Sequence, residues 1–126
     1  MCSILDDLTD LIIRPPRRDY TKRDLGPREG SLNGRPYRRT DFTIQNNERQ
    51  RLECSLFERA DTYQNQHYNP CVIYCHGNAG CRTESHNLIP VLIPRGIALV
   101  VFDFTGCGRS EGDYITLGWR EQSDLE

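Results

Sequence analysis

One short loop contains residues that could do nucleophilic chemistry. Residues 106–112 are GCGRSEG, and within them Gly108, Ser110 and Gly112 follow the pattern G-x-S-x-G. That spacing is typical of a serine nucleophile on a sharp turn between a strand and a helix. The first hypothesis for Ser110 is therefore a nucleophile in acyl transfer.

The same loop also fits the pattern G-x-G-x-x-x-G, a loose form of the glycine turn that holds a dinucleotide pyrophosphate. Such a site needs a helix that opens directly on the last glycine and an acidic side chain on the next strand. Here Gly112 is followed by DYITLGW, and Asp103, Glu111 and Asp113 would place negative charge around the pyrophosphate. We therefore expect no cofactor, and a dinucleotide module is the least favoured alternative.

A serine nucleophile also needs a histidine and an acid that can reach it. His67, His76 and His86 all precede Ser110. In serine hydrolases built on a glycine elbow, the histidine follows both the serine and the acid. The order of these residues disfavours Ser110 as a nucleophile in that arrangement, and other chain orders belong to other folds.

A second glycine turn, HGNAG at residues 76–80, follows an apolar stretch. The backbone amides of Gly77, Asn78 and Ala79 could face one point beyond the end of that strand, a geometry that suits an oxyanion. The alternative is a tight turn in which the glycines serve backbone shape only and His76 bonds locally, because glycine turns are common after parallel strands. Both interpretations stay open from these residues alone.

The six cysteines are the candidates for redox or metal chemistry: Cys2, Cys54, Cys71, Cys75, Cys81 and Cys107. The start MCSILDDLTDLII carries aspartates where a secretory signal carries positive charge, so we expect a cytoplasmic protein with reduced thiols. On a strand, Cys71 and Cys75 lie roughly 13 Å apart and His76 points to the other face, so we expect no metal site. We expect Cys2 to be a plain surface thiol, with lipidation and membrane attachment through Cys2 as the alternative.

Composition is that of one ordinary soluble domain: 126 residues, 37% apolar and 27% charged, with a net charge of −2. Residues 14–39 hold nine basic side chains against three acidic ones. Prolines interrupt this segment, and only Tyr20 and Tyr37 supply aromatic rings, so we expect a solvated arm wrapping the domain and no nucleic-acid partner.

Hydrophobic periodicity predicts the elements that position the two turns. We expect an amphipathic helix over 3–13 that caps a larger core, an irregular connection over 15–36 and a β-hairpin over 39–57. A strand at 71–75 that is apolar on both faces should follow, then a helix over 82–94 and a second buried strand at 97–104. The last predicted element is a helix that begins at Thr116 as N-cap. A strand, a helix and a strand in about 35 residues form a right-handed βαβ unit with parallel strands. We divide the chain into an arm, 1–37, and an α/β domain, 38–126.

Three stretches together closely resemble the amino-terminal part of a eukaryotic family of α/β-hydrolases, the serine aminopeptidase-like hydrolases of plants and protists. They are PCVIYCHGNAGCR, FDFTGCGRSEGDYITLGWREQSDLE and IIRPPRRDY. The motifs occur in the family's order and at its separations, and IIRPPR is not a general α/β-hydrolase feature. The resemblance runs along nearly the whole chain.

The resemblance implies an α/β fold, an incomplete α/β-hydrolase sheet in which an antiparallel hairpin precedes a parallel βαβ unit. It implies that the turn at Gly77, Asn78 and Ala79 is the oxyanion turn, with the Asn78 amide as donor. The loop containing Asp103, Gly106, Gly108 and Ser110 is then structural. Thr105 stands where many relatives carry arginine, which puts any contact of that arginine in doubt.

In the resembling family the nucleophile, the acid and the histidine all come later than these motifs. The resemblance therefore implies a truncated serine hydrolase with no catalytic triad of its own. The complete protein would cleave an ester, thioester or amide in a small-molecule, lipid or peptide substrate, while this chain alone would be inactive. A non-catalytic interaction or complementation piece is the alternative.

In that family a further strand lies beside the strand CVIYC. Without it, CVIYC becomes an exposed apolar edge, which invites pairing with other chains. We therefore expect the isolated chain to self-associate through this edge.

Overall fold

The computed structural model describes residues 3–61 and 69–126, so Cys2 and His67 lie outside the described residues. The α-helices and β-strands of the described residues, in chain order, are α1 (Ile4–Ile13), β1 (Glu29–Leu32), β2 (Arg35–Gln45), β3 (Arg51–Arg59), β4 (Cys71–Tyr74), α2 (Ile89–Leu92) and β5 (Ala98–Phe102). Short 3-10 helices occupy Lys22–Leu25, Arg82–Leu88, Ile93–Arg95 and Glu121–Asp124.

The five strands form one mixed sheet in the spatial order β1-β2-β3-β5-β4. Strands β1 to β3 are joined as antiparallel neighbours, β3 pairs antiparallel with β5, and β4 pairs parallel with β5. This is the predicted fold, an antiparallel hairpin followed by a parallel βαβ unit. The carboxyl ends of β4 and β5 lie at the same edge, so the turns that follow them are neighbours.

The β2–β3 hairpin is confirmed, and its connection is built around Asn46. The Asn46 side-chain oxygen accepts the backbone amides of Glu48 and Gln50, each at 3.0 Å, which satisfies the donors of the turn. Leu52 and Phe57 of β3 point to opposite faces of the sheet, because successive residues of a strand alternate between the two faces. They are 0% and 1% exposed, so β3 is covered on both sides.

The predicted irregular connection contains a strand that periodicity did not reveal. β1 pairs with β2 through a two-residue turn in which Asn33 and Gly34 both have positive φ, 52° and 74°. Asn-Gly is the preferred sequence for such a turn because both residues tolerate the left-handed region. The strand EGSL has too few apolar residues to show alternation, so only its turn could be recognised. β1 and the start of β2 lie within the predicted arm, 1–37, whose end therefore belongs to the sheet.

The core packs the connection between β4 and β5 against the sheet. Its buried members are Tyr37, Phe57, Ile93, Leu99 and Val101, with Leu88, Ile89 and Leu92 against them. The predicted helix over 82–94 is only partly correct: the segment is helical, but most of it is 3-10 and the α-helical part spans Ile89–Leu92. Pro90 and Pro94 lack the amide needed to continue a regular α-helical ladder.

Helix α1 has the predicted position, and Ser3 caps it in a capping box with Asp6. The expectation that it caps the core is wrong. No residue of α1 is buried, and its apolar side chains Ile4, Leu5 and Leu11 are at least 69% exposed.

The prediction of a helix that begins at Thr116 is also wrong. Thr116 does act as a cap, because its Oγ1 accepts the Arg120 amide at 2.7 Å. Leu117 and Gly118 have positive φ, however, and only the short 3-10 helix Glu121–Asp124 follows. A backbone in the left-handed region does not continue a right-handed helix.

Candidate functional site

The turn after β4 is held by His76, which is 7% exposed. The backbone amide of Phe104 donates to His76 Nε2 at 3.0 Å, so the ring proton resides on Nδ1, which donates to the Gly77 carbonyl oxygen at 2.7 Å. The ring also meets the Phe104 ring edge-on, with centroids 5.0 Å apart. Both ring nitrogens are engaged, so His76 fixes the turn to the end of β5 and is not free to act as a base.

The backbone amides of this turn differ in what they bind. The Gly77 amide donates to the Glu84 carboxylate at 3.0 Å, the Ala79 amide donates to the Cys107 thiol, and the Gly80 amide donates to the Gly77 carbonyl at 2.9 Å. The Asn78 amide has no hydrogen-bond acceptor among residues 3–61 and 69–126. One of the three predicted oxyanion donors is thus unoccupied, and the other two hold the turn in place.

Glu84 and Gly80 determine the shape of the turn. A Cβ on Gly80 would collide with the Glu84 carboxylate and would lie 2.9 Å from the Gly77 carbonyl oxygen, so only glycine fits there. Ala79 adopts a φ of 55°, which turns the chain sharply after Asn78. Glu84 also lies 3.9 Å from the Arg18 guanidinium, which connects the turn to the arm.

A cavity of about 380 Å³ lies against this turn, within the usual size range of small-molecule sites. Its lining residues are Cys75, His76, Gly77, Asn78, Phe104, Cys107, Ile115, Leu117, Gly118 and Glu121. Most of the side chains are apolar or thiol-bearing, and Glu121 supplies the carboxylate. The cavity therefore brings the Asn78 residue next to a wall that suits a hydrocarbon group.

Three titratable groups of the cavity have perturbed pKa values, and burial raises the pKa of the first, the Cys75 thiol. Burial raises the pKa of the Cys107 thiol to about 11, with the Asp103 and Glu121 charges adding to the effect, so Cys107 is protonated and a poor nucleophile at neutral pH. Burial would also raise the pKa of Glu121, but hydrogen bonds from Thr116 and Gly118 outweigh it and lower that pKa. Glu121 is therefore ionised at neutral pH and fastens the turn at 116–118.

The loop after β5 is organised around the Asp103 carboxylate, which is completely buried. It accepts the backbone amides of Arg82 at 2.7 Å and of Arg109 at 3.0 Å, and the Tyr20 hydroxyl donates to it as well. The Arg82 guanidinium, 1% exposed, lies 4.0 Å away and compensates the charge. Asp103 thus joins the arm, the segment after the first turn and its own loop.

Ser110 lies in this loop with both of its hydrogen-bonding roles taken. Its Oγ donates to the Asp103 carbonyl at 2.6 Å and accepts the Glu53 amide at 2.9 Å, and the residue is 2% exposed. No serine hydroxyl is hydrogen-bonded to a histidine ring in the part of the chain that the structure describes. In this arrangement Ser110 joins β3 to the loop and has no base beside it.

The glycines of the same loop meet steric demands. Gly108 has a φ of 48°, and a Cβ there would collide with the Asp103 carboxylate. Gly106 has a φ of 78°, and its Cβ would lie 2.5 Å from the Tyr114 carbonyl oxygen. The amides of Gly106, Cys107 and Ser110 all donate to carbonyl groups of the protein, so they are not available to a pyrophosphate in this arrangement.

Thr105, where many of the resembling proteins carry arginine, binds Asp124. The Asp124 carboxylate accepts the Thr105 amide at 2.8 Å and its hydroxyl at 2.9 Å, and it also accepts the Asn46 side-chain amide at 2.9 Å. Asp124 is 8% exposed. Nothing in the sequence pattern singled out Asp124, because its partners lie 19 and 78 positions away along the chain.

The arm is less solvated than the sequence indicated. Tyr20 and Leu25 are 5% and 2% exposed, and Arg39, which follows the arm in β2, is 6% exposed where it pairs with Asp41 at 2.9 Å. Arg17 donates to the carbonyl oxygens of Ser110 and Gly112. The prediction of a solvated arm is therefore wrong for these side chains, since the arm closes over the Asp103 loop and contributes to its network.

His86, the remaining described histidine, lies away from the cavity. Its Nε2 is buried and has no hydrogen-bond partner among the described residues. Burial lowers its pKa, and the Arg39 charge lowers it further against the opposing effect of Asp24. His86 is thus held neutral at neutral pH between the arm and the segment after β4.

None of the helices in residues 3–61 and 69–126 has the length and apolar character needed to cross a bilayer. Nor do three or more His, Cys, Asp or Glu side chains in those ranges group as metal ligands would.

The chain matches no model of a known protein family. It is 38% identical over 60 residues to the uncharacterized protein R595 of Acanthamoeba polyphaga mimivirus, which covers 48% of this chain and 20% of that protein. It is 39% identical over 67 residues to the lysophosphatidylserine lipase ABHD12 of Danio rerio, which covers 52% of this chain and 16% of the lipase.

The fold is similar to that of the Pyrococcus furiosus esterase Pf2001. Two crystal forms of the esterase superpose with TM-scores of 0.62 and 0.63 at 26% identity, over 90% and 88% of this chain and 39% of the esterase in both cases. The chain thus spans well under half the length of the proteins it matches. These neighbours support the α/β-hydrolase superfamily and a member of a hydrolase family.

Proposed function

We propose that residues 1–126 are the amino-terminal part of a serine hydrolase that cleaves an ester by acyl transfer, and that the Asn78 amide donates to the oxyanion. The observation that carries the proposal is that Asn78 lines an apolar cavity and that its backbone amide has no acceptor among the described residues. An amide preorganised in a low-dielectric site stabilises the negative oxygen of a tetrahedral intermediate.

The groups around Asn78 fix the position of its turn, and none of them is available as a nucleophile or a base. Glu84 and Cys107 hold the amides on either side of Asn78, so the free amide belongs to a turn whose position is fixed. His76 is committed to the turn, and Cys107 is protonated, so neither competes as a nucleophile or base.

The proposal needs a nucleophile outside the described arrangement, because the Ser110 hydroxyl is buried and doubly hydrogen-bonded. We assign the nucleophile, the acid and the histidine to residues beyond 1–126, on the same polypeptide or on another. Within the superfamily, the motifs HGNAG, GCGRSEG and IIRPPR support the serine aminopeptidase-like hydrolases of plants and protists as the specific family.

The substrate class follows from the cavity and from the similar proteins. Phe104, Ile115 and Leu117 provide an apolar wall beside the proposed oxyanion donor, which suits the acyl chain of an ester. The similar proteins of known type are an esterase and a lipase. The proposal requires neither a cofactor nor a metal, since acyl transfer needs only the nucleophile, its base and the oxyanion donors.

The test uses the natural polypeptide that carries residues 1–126, assayed with p-nitrophenyl esters and a fluorophosphonate probe. We expect esterase activity and a single adduct at a serine other than Ser110. Asn78→Pro removes the backbone donor at a position that is not among the residues with positive φ. We expect this variant to lower kcat by about 10²–10³.

Asn78→Ala is the matched control, because it removes the side chain and keeps the amide. It should retain nearly full kcat, and a thermal melt of both variants checks that each is folded. An adduct on Ser110, or an unchanged kcat in a folded Asn78→Pro variant, would contradict the proposal.

A further inference from the structure

The backbone amide of Gly77 is bound by a side chain that lies further along the chain. Glu84 belongs to the 3-10 segment Arg82–Leu88, and its Oε2 accepts the Gly77 amide at 3.0 Å. The other carboxylate oxygen, Oε1, occupies the space that a Cβ on Gly80 would need. The Glu84 carboxylate therefore lies against both glycines of the turn HGNAG.

Gly77 is the flexible link between His76 and Asn78, because glycine has the widest choice of backbone dihedrals. Each peptide group here is planar and trans, so the two peptide planes that meet at Gly77 rotate only about its φ and ψ. Glu84 restrains the first plane through the Gly77 N–H. The second plane is restrained through the Gly77 carbonyl, which accepts His76 Nδ1 at 2.7 Å and the Gly80 amide at 2.9 Å.

The direction of the Asn78 amide follows from these restraints. The Gly77 carbonyl and the Asn78 N–H belong to one trans peptide plane, in which they point in opposite directions. Fixing the carbonyl therefore aims the amide. Without the bond to Glu84 the first plane would be free to rotate, and the second would keep its direction only through the bonds to the Gly77 carbonyl.

We propose that Glu84 is a positioning residue for ester cleavage, and that it acts through the Gly77 amide to aim the Asn78 amide at the oxyanion. The inference rests on the proposed function, in which the Asn78 amide is the oxyanion donor. A preorganised donor stabilises the transition state because it needs no reorganisation when the charge develops. Glu84 is not among the described residues that line the cavity, so its removal should lower kcat and leave KM nearly unchanged.

The charge of Glu84 opposes the reaction that its hydrogen bond supports. A carboxylate beside the turn repels a negative oxygen at the Asn78 amide. The Arg18 guanidinium lies 3.9 Å from Oε1 and offsets part of this repulsion, although water screens it because the Arg18 side chain is 63% exposed. Glu84→Gln keeps an acceptor oxygen and removes the charge, whereas Glu84→Asp keeps the charge and shortens the reach. These two substitutions separate the hydrogen bond from the charge.

The test measures kcat and KM for a p-nitrophenyl ester in the natural polypeptide that carries residues 1–126. We expect Glu84→Ala to lower kcat about 10–10²-fold at nearly constant KM, because a small misplacement of a catalytic group costs rates of that order. Glu84→Asp should lower kcat in the same direction, and it replaces Glu84→Ala in the comparison if a thermal melt shows that the alanine variant is unfolded. Glu84→Gln should keep at least the parent's kcat.

Arg18→Ala is the matched control. It removes the charged partner of Glu84 and leaves the hydrogen bond to the Gly77 amide in place, so kcat should change little. A loss of kcat in Arg18→Ala as large as that in Glu84→Ala would contradict a role carried by the hydrogen bond.

Two further measurements connect the effect to the Asn78 amide. In the Asn78→Pro background, which lacks the donor, Glu84→Ala should lower kcat little further, because residues that act through one another are not additive. The second readout does not depend on activity. The Gly77 amide proton, observed by NMR after ¹⁵N-glycine labelling, should move upfield in Glu84→Ala and much less in Glu84→Gln.

Three outcomes would overturn the positioning role: an unchanged kcat in a folded Glu84→Ala variant, an equal loss in Glu84→Gln, or a fully additive loss in the Asn78→Pro background. A kcat loss in Asn78→Pro with none in Glu84→Ala would overturn this proposal and leave the proposed function standing. An unchanged kcat in a folded Asn78→Pro variant would overturn both, so the two failures are distinguishable.

Discussion

Two glycine turns follow neighbouring parallel strands in this protein, and they differ in what happens to their polar groups. In HGNAG, after β4, the Asn78 amide has no acceptor among the described residues, and the residue lines a cavity. In GCGRSEG, after β5, the Ser110 hydroxyl and the amides of Gly106, Cys107 and Ser110 are all bonded to protein groups.

The difference between the turns teaches that a motif's spacing does not decide its chemistry. GCGRSEG has the spacing of a nucleophile loop, yet its serine is buried and acts as a connector between β3 and the loop. HGNAG contains no reactive side chain that is free, yet it presents the group best suited to a developing negative charge. Hydrogen-bond occupancy and burial separate a loop that organises structure from a turn that can bind a ligand.

Among the substitutions that test this comparison, Asp103→Ala is expected to cause the largest loss of stability. It removes the acceptor for the Arg82 and Arg109 amides and leaves the buried Arg82 guanidinium poorly compensated. Breaking a buried charge pair by removing one partner costs about 3–5 kcal/mol, so we expect the urea midpoint to fall steeply or the chain to be unfolded. Asp103→Asn, which keeps the volume and one acceptor oxygen, should lose less stability. Wild-type stability in Asp103→Ala would show that the second loop is not the structural hub described above.

Gly108→Ala is expected to have the next largest effect. The φ of 48° at Gly108 is unfavourable for alanine, which costs about 1–3 kcal/mol, and the added Cβ also collides with the Asp103 carboxylate. Gly34→Ala is the control for backbone strain alone, because Gly34 has a φ of 74° and no atom within 4 Å of the added Cβ. Urea unfolding of both variants separates strain from collision, and equal losses would argue against the tight contact.

Ser110→Ala tests the connector role directly. It leaves the partly buried Glu53 amide without its acceptor, so we expect a loss of about 1–3 kcal/mol in unfolding free energy. The control is Ser123→Ala, since the Ser123 hydroxyl donates to the Arg120 carbonyl in an exposed hydrogen bond. This variant should change stability by less than about 0.5 kcal/mol. If Ser110→Ala were as mild as the control, or abolished fluorophosphonate labelling, the contrast between the turns would fail.

Asn78→Ala should have the smallest effect on stability. The Asn78 side chain is exposed and makes no hydrogen bond within the described ranges, so we expect a change within about 0.5 kcal/mol. The measurement is again a urea midpoint, compared with Ser110→Ala under the same conditions. A loss of more than about 1 kcal/mol would mean that Asn78 supports the fold and would weaken its assignment to ligand binding.

Much of the scaffold was predictable from the sequence because it rests on local patterns. Alternating apolar residues from Phe42 to Phe57 indicated the hairpin, the uninterrupted apolar stretches around Ile73 and Val100 indicated the parallel strands, and the helical spacing of apolar residues over 3–13 indicated α1. Each of these signals depends on neighbours within a few residues. β1 and the break in helicity at Leu117 were missed because a four-residue strand and a positive φ leave almost no such pattern.

The sequence by itself determined which segments form the hairpin and the parallel strands, because their hydrophobic patterns are local. It also determined the two glycine turns that follow the parallel strands and the resemblance to the amino-terminal part of an α/β-hydrolase. Only the tertiary structure decided which polar groups are occupied. Tyr20, Arg82 and Asp103 are far apart along the chain, and their hydrogen bonds arise only when the arm closes over the sheet. Burial and partners are set by contacts between distant segments, and for that reason the structure, and not the motif, distinguishes the bound Ser110 hydroxyl from the free Asn78 amide.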